Sequence, residues 1–107
     1  MNAPRLDRDD YALLLLGLLG EREMYGYELV AALRKRSAAV IDLPEGTVYP
    51  ALRRLEREGL VAGRWVNVDG APRRRYYPLT VAGERALADG RAAWRRFATA
   101  ADGVLGS

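Results

Sequence analysis

The sequence predicts a mainly α fold carrying one β-hairpin, α+β by class, in the order helix, helix, helix, hairpin, helix. Three observations predict it. Apolar residues recur at helical spacing in four stretches. Asp69-Gly70, a strong hairpin turn, stands between two short runs of strand-forming residues. Glycine or proline stands at most of the junctions, as at Gly20, Pro44, Gly59 and Pro78.

The first helix is expected from about Asp9 to Leu19, after a polar arm over residues 1–8. Asp9 and Asp10 suit the positive end of a helix dipole, and Gly20 stops the helix. Tyr11 to Leu16, Leu18 and Leu19 leave almost no polar face. A helix apolar all round has to be covered all round. One small domain can hardly do that, so a second subunit is expected against Leu14 and Leu18. The second helix is expected from about Tyr25 to Arg36, with Tyr27, Leu29, Val30 and Leu33 on its apolar face and Lys35 and Arg36 at the end that favours cations. Ser37 to Asp42 connect it to the third.

The third helix lies within Pro44-Glu45-Gly46-Thr47-Val48-Tyr49-Pro50-Ala51-Leu52-Arg53-Arg54-Leu55 and runs on towards Gly59. Val48, Leu52 and Leu55 repeat at four and three residues and point inward, which leaves Thr47, Tyr49, Pro50, Arg53, Arg54 and Arg57 on the remaining surface. Pro44 suits a first helical position, where a missing N–H costs nothing, and Glu45 favours the positive end of the dipole. A start at Pro44 is therefore preferred to a later one capped by Thr47. Pro50 then forfeits the bond to the Gly46 carbonyl and bends the first turns slightly.

After Gly59, Leu60 to Val68 reads as one strand and Arg73 to Tyr77 as its partner. Thr80 caps the last helix, which is expected to reach about Val104. In it Leu87, Gly90, Trp94, Phe97, Ala101 and Val104 alternate at three and four residues, a heptad seam. About 24 residues at 1.5 Å each give a rod roughly 36 Å long. With no domain left to pack on, this helix is expected to pair with the other subunit of a homodimer, against the over-apolar first helix. Residues 1–79 are thus read as one functional unit and 80–107 as a C-terminal dimerisation helix, within one compact domain.

Composition narrows the function. The 107 residues contain neither cysteine nor histidine. That removes a disulfide framework, a thiolate metal site, a cysteine nucleophile and the commonest general base. No phosphate-binding glycine loop is present either, so neither an enzyme nor a cofactor is expected. The lack of cysteine fits a cytoplasmic protein. The apolar run Tyr11 to Leu19 falls far short of the roughly 20 residues that span a bilayer, so no membrane partner is expected. The net charge is +3, and its excess lies in residues 44–75, where all the bases are arginine.

Three short helices and a two-stranded hairpin make the winged helix-turn-helix order, in which the third helix enters the DNA major groove and the hairpin is a wing beside it. The arginines stand on those two elements: Arg53, Arg54 and Arg57 on the helix, Arg73, Arg74 and Arg75 on the wing. Charge on a strand edge also guards against aggregation. A second basic element in the right place favours double-stranded DNA as the partner.

Three ordered segments carry a family resemblance: Met24-Tyr25-Gly26-Tyr27-Glu28-Leu29, Glu45 to Glu56, and Pro72-Arg73-Arg74-Arg75-Tyr76-Tyr77-Pro78-Leu79-Thr80. Together they resemble the PadR family of transcriptional regulators. The single helix after the wing is similar to the small subfamily. The resemblance implies a homodimeric winged-helix repressor of a near-palindromic operator. It implies DNA contacts from Thr47, Tyr49 and Arg73 to Arg75, a phosphate contact near Tyr25, and basic positions at Arg53 and Arg54. Pro50 stiffens the end of the helix expected to meet the groove. Trp94 and Phe97 have two readings, dimer packing or a cavity for a flat aromatic or hydrophobic effector. A ligand-sensing dimer and a protein-interaction module are the rival functions; arginines on both helix and wing favour DNA over the latter.

Overall fold

The computed structural model describes residues 6–106, so most of the expected N-terminal arm lies outside the described residues. Its elements are α1 (Arg8–Leu19), α2 (Gly26–Arg36), α3 (Glu45–Arg57), β1 (Arg64–Val68), β2 (Ala71–Tyr76) and α4 (Val81–Leu105). This is the expected fold class: mainly α, with an antiparallel two-stranded wing.

Helix starts differ from expectation by a residue or two, each for a local reason. Asp7, not Asp9 or Asp10, caps α1: its carboxylate accepts the Asp10 N–H at 2.9 Å, and Asp10 returns the bond to the Asp7 N–H at 3.0 Å. Tyr25 is the extended residue ahead of α2, because it also bridges to Tyr76 at the base of the wing. Pro44 stands just before the first turn of α3, and its carbonyl accepts the Thr47 and Val48 N–H groups. The early start holds, and Pro50 lies inside the helix. Thr80 caps α4 as expected, accepting the Gly83 N–H at 3.0 Å.

The core is one cluster. Leu15 of α1, Leu29 of α2 and Val48, Leu52 and Leu55 of α3 are fully buried, with Leu16, Leu19, Leu33, Val61, Tyr77 and Leu87 around them. The inward stripe of the third helix is therefore the centre of the fold.

The first strand is shorter than expected. Leu60 to Gly63 stay outside it, although Val61 bridges Leu79 in line with the hairpin register. Pro78 interrupts the ladder between that bridge and the strand: Ala62 donates to the Pro78 carbonyl at 3.0 Å and the proline has no N–H to return, while the Gly63 and Tyr77 amides face away from each other and donate outward to the Glu56 carboxylate and the Met24 carbonyl. The second strand starts earlier, at Ala71. Val66 pairs with Arg74 but Val68 with Ala71, so Pro72 and Arg73 together oppose Asn67. The proline, which has no N–H to give the ladder, falls at this bulge.

The last helix does find a surface within its own chain, which corrects one expectation. Its first turns pack on α1, with Leu87 buried and Gly90 against Leu13. Gly83 lies so close to the chain before β1 that a Cβ there would overlap the Leu60 carbonyl oxygen. Leu18 and Leu87, both expected at a subunit interface, are buried in this core instead. The apolar face of α4 is left open further along, where Trp94 is 52%, Phe97 65% and Val104 87% exposed.

Candidate nucleic-acid interface

The α3 surface and the wing face a common cleft of about 590 Å³. Tyr25, Tyr49, Arg53, Trp65, Arg73, Arg74 and Arg75 line it. The helix contributes because its opposite side is fixed in the core at Val48, Leu52 and Leu55, four and three residues apart. The hairpin contributes because its base is pinned to the body: Tyr25 bridges Tyr76, and the Tyr77 N–H bonds to Met24.

Tyr49 is half-buried against α2. A Cβ on Gly26 would come within 2.5 Å of its ring, so a bare backbone at Gly26 is what admits it. Burial pushes the Tyr49 phenol upward in pKa, reinforced by Glu45 and Tyr25. Its ring thus joins the two helices while its hydroxyl keeps its proton. Thr47 is half-buried and Pro50 exposed on the same helix.

The arginines divide into two sets. Arg54 is held by Asp9 and Glu58, both at 2.8 Å, which turns it towards α1 and keeps it fully charged. Arg75 is held by Glu56 at 2.6 Å. Among the described residues, the ion pairs leave out Arg53, Arg57, Arg73 and Arg74. Arg73 lies over the Trp65 indole at 4.6 Å, and Arg74 over the Tyr25 ring at 4.6 Å. Tyr25 in turn packs on Tyr76. Of the expected DNA-facing arginines, the structure brings Arg53, Arg73 and Arg74 to the cleft with their charge free. Arg75 lines it already paired, and Arg54 lies outside it.

Two residues of this surface were not singled out in the sequence. Trp65 is 54% exposed and carries both Arg73 and Arg75 over its ring. Glu56 accepts from Gly63 and Arg75 at once. A tryptophan in an expected strand was the available signal for the first. The second, one acid among the arginines of α3, reads as an ordinary surface charge. No group of three or more potential ligands that could hold a metal ion occurs among the described residues. No described helix is long and apolar enough to cross a membrane.

Residues 15–89 match the Transcriptional regulator PadR-like family. The transcriptional regulator Rv3488 of Mycobacterium tuberculosis is 36% identical over 86 residues, 80% of this chain and 77% of that protein. The crystal structure of a PadR family transcription regulator from Clostridium difficile superposes with a TM-score of 0.80 at 32% identity, covering 89% of this chain and 97% of the other. Bacillus subtilis PadR, solved in complex with operator DNA, gives a TM-score of 0.68 at 26% identity over 73% of this chain and 44% of its own. With the match running from α1 to the first turns of α4, the chain belongs to the PadR-like family of transcriptional regulators, which are not enzymes.

Proposed function

We propose that the chain binds double-stranded DNA as a homodimeric repressor of a near-palindromic operator, with α3 in the major groove and the β1–β2 hairpin as the wing. The observation that carries this reading is the set of unpaired arginines on those two elements, Arg53 with Arg73 and Arg74 around one cleft. Unpaired guanidiniums attract phosphates and can fork onto guanine, whereas Arg54 is already committed to carboxylates. The Bacillus subtilis relative, solved in complex with operator DNA, supports DNA as the partner. The dimer rests on the open stretch of α4, where Trp94, Phe97 and Val104 lack cover within their own chain.

A ligand-responsive version is favoured by one observation. Trp94 lines two grooves, one on each side of the α1–α4 contact, of about 420 and 740 Å³, and its ring lies 6.1 Å from that of Phe97. A flat aromatic compound there would shift DNA affinity only through unequal affinity for two dimer geometries. Footprinting on the DNA upstream of the chain's own gene, with and without aromatic compounds, tests the function. Two protected half-sites about one helical turn apart are expected. Sedimentation of wild type and Trp94→Ala tests the dimer: the variant should dissociate at higher concentration, and identical behaviour would remove Trp94 from the interface.

A further inference from the structure

Glu56 joins the recognition helix to the wing. One oxygen of its carboxylate accepts the Gly63 N–H at 3.1 Å and the Arg75 guanidinium at 2.6 Å. Arg75 stands opposite Trp65 in the hairpin and lies over its indole at 5.2 Å. The same indole carries Arg73 at 4.6 Å. A continuous chain of contacts thus leads from the body of α3, through Arg75 and Trp65, to an exposed wing arginine whose charge is unpaired.

We propose that Glu56 is a positioning residue for DNA binding: it fixes the wing against α3 and, through Arg75 and Trp65, sets where Arg73 meets the nucleic acid. The proposal rests on the DNA-binding reading. It gives Arg75 the role of a strut, its charge directed to Glu56 and not to a phosphate. It also makes an acid useful in a place where charge alone argues against one. A carboxylate in a DNA-facing cleft repels the polyanion, so a Glu56 that acted only as a charge would bind DNA better once neutralised. A positioning residue gives the opposite sign.

The test is Glu56→Gln in the full chain, read in two ways. Without DNA, amide exchange and 15N relaxation should show faster exchange at Gly63 and a looser hairpin over residues 64–76, with α1 to α3 unchanged. Wing amides that behave as in wild type overturn the proposal, whatever the DNA result. With DNA, affinity for the footprinted site should fall about tenfold while binding to a scrambled duplex stays the same or tightens. Equal tightening on both duplexes overturns it. Arg75→Gln keeps the question decidable should the first variant fail to fold. It should loosen the wing with the salt dependence of binding unaltered; a slope lowered by about 1 makes Arg75 a phosphate contact and contradicts the strut. A wild-type chain that distinguishes no duplex overturns the DNA reading itself, while the exchange experiment still decides whether Glu56 holds the wing.

Discussion

Adjacent arginines on α3 have opposite fates. Arg53 points out of the fold next to Tyr49, and Arg54 reaches back to Asp9 on α1. Arg53→Ala should therefore lower operator affinity by about 1–3 kcal/mol, the usual worth of a specific base contact, with unfolding unchanged. Arg54→Ala should leave discrimination between duplexes intact and lower thermal stability slightly. Titration of both variants on specific and scrambled DNA checks this; equal losses of discrimination would place both arginines at the bases. Periodicity put both on the outer surface, which they share. It had no access to Asp9, 45 residues away, which decides between them. Strain is also local. Ala38 and Ala39, in the connector tied down by Ser37, have φ of 51° and 65°, where side chains cost about 1–2 kcal/mol. Glycine relieves that and loses about 0.5–1 kcal/mol of backbone entropy. Ala39→Gly should accordingly raise the unfolding temperature by a few degrees; a drop would mean the connector's bonds outweigh the strain.

At the level of elements, the helices and the turn were legible because each is written locally: the 48-52-55 stripe, the Asp69-Gly70 turn, the Thr80 cap. Pro50 was placed for the same reason. Its neighbours Pro44 and Glu45 argue for an early start, and the helix indeed begins at Glu45 with the proline on its exposed side. The wing's register was not legible. A two-residue turn without a bulge sets Trp65 against Arg74; the extra residue at Pro72-Arg73 moves it to Arg75 and creates the arginine stack on the indole. The seat of α4 was hidden too, since Gly90 reads as one position of a subunit seam when it is a point of close approach to Leu13, and nothing in the sequence marks Gly83 as the point of close approach to Leu60. Gly83→Ala should destabilise the chain by about 1–3 kcal/mol through the clash with the Leu60 carbonyl. Denaturant unfolding measures it, and unchanged stability would mean that α4 is not seated on the chain between α3 and the wing.

For the whole molecule, stability should respond to alkali. Burial raises the phenol pKa values of both Tyr49 and Tyr77 above the ordinary tyrosine value. A raised folded-state pKa stabilises fully below the unfolded value of about 10 and is lost as pH rises through the folded value. Stability should thus be level up to about pH 10 and fall beyond it, and Tyr77→Phe should blunt the fall. The fold as a whole places α3 and the wing around one cleft and turns the bare face of α4 outward. That combination gives the function a single decisive measurement: equilibrium binding of the wild-type chain to the duplex upstream of its own gene and to a scrambled duplex, across a range of salt. With α3 in the groove as proposed, a surface of unpaired arginines predicts affinity falling steeply with salt on both, and a preference for the native duplex of about a thousandfold or more. Equal affinity for the two duplexes at every salt concentration would contradict sequence-specific recognition by α3 and the wing.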